Sequence, residues 1–210
     1  MAMATTPKFR GLIFDFFGVL TFNMVEVITS FEDREKIRRG TFLRAWADER
    51  GQELFRRLEL GEISQTDWNV GFAALMDVEP DNLMARYLHD AFPAHLVLRV
   101  AKQARAAGIK TAVVSNSLGR EPYDPYAGFD LPGLFNEVVL SAEHGVRKPD
   151  PAVFRLVLDK FGLAAEECLF VDDSEENLAA AHGLGFSTLH ALDERVAAAQ
   201  LRSVLGLTDS

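Results

Sequence analysis

Four stretches of this chain place chemically capable side chains at the ends of short apolar runs. Asp15 follows Leu12-Ile13-Phe14 and precedes Phe16-Phe17-Gly18. A carboxylate among apolar neighbours needs a partner, a metal or the open end of a strand; a turn aspartate before Gly18 is the competing reading. Ser115, Asn116 and Ser117 follow Val113-Val114. Hydroxyls, an amide and turn N–H groups there could receive an anion, or make an ordinary turn. Arg147 and Lys148 stand directly before Pro149-Asp150-Pro151. Cations at the start of a helix are poorly placed unless an anion meets them, although a solvated loop also accommodates them. Asp172 and Asp173 close the run Leu169-Phe170-Val171. Adjacent carboxylates repel unless a proton or cation lies between them, and an all-oxygen donor set suits Mg2+. Capping of the next helix competes with that reading, and Ser174 alone could supply it.

The elements that must position these groups are legible from periodicity. Apolar runs of strand length occur at 12–14, 111–114, 137–140, 168–171 and 187–189, and helix-period stretches at 96–107, 151–161 and 177–184 each end at a glycine. Strands alternating with helices predict a Rossmann-like α/β fold, a parallel sheet with helices on both faces. Residues 22–92 break this rhythm with amphipathic runs at 35–49, 52–60, 66–76 and 81–88. The expected organisation is a core of residues 1–21 and 93–210 with an inserted helical domain at 22–92. The insertion enters at the carboxyl edge of the first strand, where doubly wound sheets bind ligands, and so is placed to act as a lid. The irregular stretch 119–133, with Tyr123 and Tyr126, is expected to contact substrate or a partner subunit.

Composition narrows the function classes. The chain has 210 residues, 48% hydrophobic and 25% charged, which excludes a disordered or fibrous protein. The net charge of −9 opposes binding to nucleic acid or to an anionic membrane. The apolar run 11–22 carries Asp15 and is shorter than the roughly 20 residues a span requires. A single cysteine, Cys168, excludes an internal disulfide and reads as a core residue, and the five histidines have no zinc-motif spacing. A cytoplasmic protein, a monomer or homodimer acting on a small molecule, is expected.

Taken in order, these strand ends carry Asp, Ser-Asn, Lys and Asp-Asp, and the chain resembles the haloacid dehalogenase superfamily of hydrolases from Phe9 to about Leu189. Asp15 matches the nucleophile, Ser115 and Asn116 the second motif, Lys148 the third, and Asp172 with Asp173 the fourth. The insertion matches a helical cap between the first and second motifs. Leu58-Glu59-Leu60-Gly61-Glu62-Ile63-Ser64 and Lys148-Pro149-Asp150-Pro151 are similar to the phosphatase branch that includes the amino-terminal domain of soluble epoxide hydrolases. The resemblance implies a phosphatase acting through an aspartyl-phosphate. Asp15, Asp173 and the backbone carbonyl of Phe17 would hold Mg2+, with Asp172 acting through water. Lys148 would bridge the nucleophile and a phosphate ester, and the Ser115 hydroxyl would hold phosphoryl oxygens.

One position departs from that pattern. Phosphatases of the superfamily carry a second aspartate two residues after the nucleophile, as general acid and base, and here that residue is Phe17. A missing general acid forfeits roughly 10²- to 10⁴-fold in rate. The dehalogenase branch also lacks the aspartate and works without metal. The alternatives are therefore a metal-independent 2-haloacid dehalogenase and a catalytically degenerate binding protein.

Overall fold

Parallel pairing of five apolar strands organises the molecule, whose computed structural model describes residues 9–207. In chain order the structure runs β1 (Gly11–Phe14), then helices α1 (Met24–Glu35), α2 (Thr41–Ala47), α3 (Glu49–Glu59), α4 (Gln65–Met76) and α5 (Leu83–Tyr87). It continues through α6 (His95–Ala106), β2 (Lys110–Ser115), α7 (Leu131–Leu134), β3 (Glu137–Leu140), α8 (Ser141–His144) and α9 (Pro151–Phe161). The last elements are β4 (Cys168–Asp172), α10 (Glu175–Gly183), β5 (Ser187–His190) and α11 (Glu194–Leu205). The sheet order is β3-β2-β1-β4-β5, so β1 is central, and all of its residues are buried. Burial on both faces explains why these strands read as continuous apolar runs.

Alternation along the strands divides the core in two. Leu12, Phe14, Val113, Leu169 and Val171 face one cluster with residues of α6 and α11; Ile13, Ala112, Val114, Cys168 and Phe170 face the other with residues of α9 and α10. Cys168 is fully buried, and burial pushes its thiol up to about 12. Among the described residues, no helix is long and apolar enough to cross a membrane.

Helices α1 to α5 close over a third cluster built on Phe31, Phe42, Trp68, Phe72 and Leu83. The chain leaves and re-enters the sheet layer at one neck: the Phe22 amide donates to the Phe92 carbonyl (2.9 Å) and the Ala94 amide to the Leu20 carbonyl (2.9 Å). The amphipathic run 35–49 is not one helix. Its first residue ends α1, and α2 begins only at Thr41. The buried Glu32 carboxylate accepts from the amides of Gly40 (2.8 Å) and Phe42 (2.7 Å), so a side chain of α1 caps α2 and turns the chain between them. All but the last residue of α1 lies upstream of the amphipathic runs singled out from the sequence.

Where α2 and α3 cross, Gly51 permits contact between backbones: a Cβ there would lie 1.9 Å from the Ala45 carbonyl oxygen. Gly51→Ala should therefore destabilise the protein, by at least about 1–3 kcal/mol as for other overpacked sites, although alanine is the better helix former. Gly183→Ala, at the end of α10 with nothing within 4 Å of the added Cβ, is the control and should be neutral or stabilising. Urea melts of both variants check the contrast.

Candidate active site

The register of the central strands builds the floor of the site. Phe14 of β1 pairs with Val171 of β4, and the Asp15 amide donates to the Val171 carbonyl (2.8 Å), so Asp15 and Asp172 leave adjacent strand ends. The ammonium of Lys148 fills the gap, with Nζ 2.6 Å from Asp15 Oδ1 and 2.8 Å from Asp172 Oδ2. Lys148 is only 1% exposed. Its loop is held from the end of β2: Asn116 Oδ1 accepts from the Lys148 amide (2.8 Å) and Asn116 Nδ2 donates to the Lys148 carbonyl (3.1 Å). Asp172 is further oriented by the Ser174 amide (2.8 Å to Oδ1) and by Asn177 Nδ2, which reaches both carboxylate oxygens (3.1 and 3.2 Å).

Charge in this floor is unbalanced. Oxygens of Asp15, Asp172 and Asp173 lie within 4.8 Å of one another, and one ammonium faces the three carboxylates. Burial pushes Asp15 well above the usual carboxylate range; Lys148 opposes the shift, while Asp172 and Asp173 add to it. Asp173 rises to about 6, again through burial and then the Asp172 charge. Burial alone would lower Lys148, but Asp15 and Asp172 outweigh it and hold the ammonium charged. The Asp173 carboxylate rests against Gly18, where a Cβ would lie 2.4 Å from Oδ2 and where φ is +81°. A crowded all-carboxylate donor set with excess negative charge fits a small divalent cation such as Mg2+.

Above the floor opens a cavity of about 310 Å³, lined on the sheet side by Asp15, Phe17, Asn116, Leu118, Lys148 and Asn177 and on the other by residues of α1, α2, α3 and α5. Phe17 lines the cavity together with Asp15, two residues before it. Its ring packs edge-on to Phe16 (4.9 Å between centroids) and against Tyr126 (5.9 Å), and it touches both the sheet core and the helical cluster.

Asp15, Phe17, Asn116, Lys148, Asp172 and Asp173 thus converge at one edge of the sheet. Ser115 does not reach the cavity: it is fully buried, and its hydroxyl lies 3.0 Å from Tyr126 Oη. Accepting from the Tyr126 hydroxyl would leave the Ser115 proton free to donate elsewhere. Tyr126 is buried inside the molecule, and the Tyr123 backbone is taken by Gln65 of α4, so the 119–133 loop joins helical segment to core. Of the paired cations, only Lys148 enters the site, because Arg147 forms an ion pair with Glu59 of α3. Sequence reasoning missed Asn177 as an orienting group. Its place one turn into a helix that starts directly after Asp172-Asp173 was the available signal.

The family model of haloacid dehalogenase-like hydrolases matches residues 9–185. Over 209 residues the chain is 26% identical to the sesquiterpene phosphatase astK of Aspergillus oryzae, aligning 97% of this chain with 100% of that protein. It is 27% identical over 209 residues to acyl-CoA dehydrogenase family member 10 of Mus musculus, which covers 95% of this chain but only 19% of the mouse protein. A HAD family enzyme from Bacteroides thetaiotaomicron, crystallised with magnesium and inorganic phosphate, superimposes with a TM-score of 0.64 at 23% identity, covering 87% of this chain and 93% of that one. A dehalogenase crystal structure reaches a TM-score of 0.69 at 15% identity, covering 96% and 99%. At such identities the superpositions speak for the fold alone. The family match over most of the chain carries the assignment: this protein belongs to the haloacid dehalogenase-like hydrolases.

Proposed function

We propose that the protein is a Mg2+-dependent phosphatase that cleaves small phosphate monoesters through an aspartyl-phosphate on Asp15, with the helical segment 22–92 acting as a cap domain over the site. The observation that carries this reading is the third carboxylate. A site working without metal needs Asp15 and the Lys148 bridge, whereas Asp173 adds negative charge that a second cation would offset while leaving the cluster ionised. The similarity to a sesquiterpene phosphatase and the fold shared with a magnesium and phosphate complex support it.

In this mechanism Asp15 Oδ1 is held by Lys148 Nζ (2.6 Å) and the Phe16 amide (2.6 Å), which leaves Oδ2 as the attacking atom. Asp15, Asp173 and the Phe17 carbonyl would hold Mg2+, with Asp172 acting through water; bound there, the ion supplies positive charge to the phosphoryl oxygens. Oδ2 attacks phosphorus as the bond to the ester oxygen breaks. Water then attacks the same phosphorus, the bond to Asp15 breaks, and inorganic phosphate leaves. Lys148 stabilises negative charge in both steps. Asn116 fixes the Lys148 loop, so its own contribution is positional. With Phe17 in place of an acid, the ester oxygen departs without a proton from that side, and its acidity decides the rate.

Phe17 also favours a second reading, a 2-haloacid dehalogenase, because a halide leaving group needs no proton. Metal binding separates the two. Calorimetric titration should show Mg2+ binding to the wild type and an affinity at least about tenfold weaker in Asp173→Ala; unchanged binding in the variant would overturn the metal assignment and favour the dehalogenase.

Leaving-group dependence is the second expected outcome. Aryl phosphates should turn over far faster than alkyl phosphates, and log rate should fall steadily as the leaving group's pKa rises. Phe17→Asp should raise alkyl-phosphate hydrolysis, by no more than the roughly 10²- to 10⁴-fold a general acid contributes, and the gain should vanish in Asp15→Asn/Phe17→Asp. Steady-state kinetics over one ester panel, with folding checked by circular dichroism, measures both. A folded, Mg2+-binding Phe17→Asp protein with no gain would sink the phosphatase reading.

A further inference from the structure

Resting on the phosphatase reading, we propose that the organic part of the substrate is a hydrocarbon group, directed away from Asp15 and toward Leu43 and Trp46 of α2. The cavity is divided by chemistry as well as by position. Its acid, ammonium and amide groups on the sheet side, Asp15, Lys148, Asn116 and Asn177, all lie in the floor that would take the phosphoryl group. The opposing wall presents Met24, Ile28, Phe42, Leu43, Trp46 and Phe55.

Besides the indole N–H of Trp46, only Glu59 and Tyr87 bring polar groups from the helical segment to this cavity, and apolar side chains outnumber them. Glu59 is committed to Arg147 by an ion pair. Tyr87 is 5% exposed, its ring is stacked on Phe42 (4.5 Å between centroids), and burial pushes its phenol above the ordinary range. A sugar, amino-acid or nucleoside phosphate would bring more hydroxyls, amines or amides into this space than its few polar groups can partner, which is costly. A hydrocarbon group loses nothing of the kind and gains by leaving water.

The rim points the same way. Phe42 is buried, yet its neighbours Leu43 and Trp46 remain 45% and 48% exposed while lining the cavity. Large apolar side chains left half in water beside a charged floor supply area that an apolar tail would cover.

The test uses Mg2+-loaded full-length protein and two ligand series. The first is n-alkylphosphonates from methyl to octyl, whose C–P bond this chemistry does not cleave, titrated by calorimetry. The second is 4-alkylphenyl phosphates, which lengthen the tail at nearly constant leaving-group acidity, compared by kcat/KM with glucose 6-phosphate. Each added methylene should tighten phosphonate binding about fourfold until the cavity is filled. The aryl series should follow the same trend in kcat/KM. Trp46→Ser and Leu43→Ser should flatten the dependence on chain length. Phosphonate affinity independent of chain length, absence of phosphonate binding, or a higher kcat/KM for glucose 6-phosphate than for every aryl ester would overturn the proposal. The two readings fail separately: hydrolysis without chain-length dependence retains the phosphatase and removes the hydrocarbon substrate. Chain-length-dependent phosphonate binding with no ester hydrolysed retains the apolar site and removes the phosphatase.

Discussion

The ammonium of Lys148 is the charge on which the site rests. It is sealed from solvent between Asp15 and Asp172, and removing one partner of such a buried arrangement typically costs about 3–5 kcal/mol because the others are left uncompensated. Everything around it holds that geometry. Asn116 grips both sides of the Lys148 peptide, Asn177 and Ser174 fix Asp172, and the β1–β4 register delivers both carboxylates to one edge. Between two carboxylates the ammonium stays charged although it is buried.

One cation does not neutralise three acids, and that imbalance separates this site from an ordinary salt bridge. The upward pressure on Asp15 and Asp173 comes first from burial and then from the neighbouring carboxylates, as crowding of acids away from water dictates. Gly18 permits the cluster to be this tight, since any side chain there would displace Asp173. Phe17, two residues beyond Asp15, is the counterweight. It brings an aromatic ring to a position where the phosphatase pattern has an acid, and so joins a charged floor to an apolar roof.

The helical segment is tied to that floor by polar contacts at its margin. Gln65 of α4 donates to the carbonyls of Leu118 (2.9 Å) and Tyr123 (3.0 Å) and accepts from the Tyr123 amide (3.0 Å). The Glu59 side chain pairs with Arg147, and the Glu59 carbonyl accepts from the Ser141 hydroxyl. These contacts surround an aromatic interior and leave most of the cavity wall on the helical side to apolar side chains.

Local pattern was sufficient for the sheet. The five apolar runs became the five strands, their glycine-terminated neighbours became α6, α9 and α10, and the groups at the strand ends, apart from the Ser115 hydroxyl, met at one edge, because strand periodicity and helix stop signals act within a few residues of chain. The interactions that shape the site's roof act over longer separations and leave no such trace. Glu32 reaches across a turn to cap α2 and divides the run 35–49, Arg147 pairs with Glu59, and the Ser115 hydroxyl meets Tyr126. In each case a residue type legible in the sequence had several possible partners. Which one it met depended on how the helices pack above the sheet, and only the tertiary structure decides that.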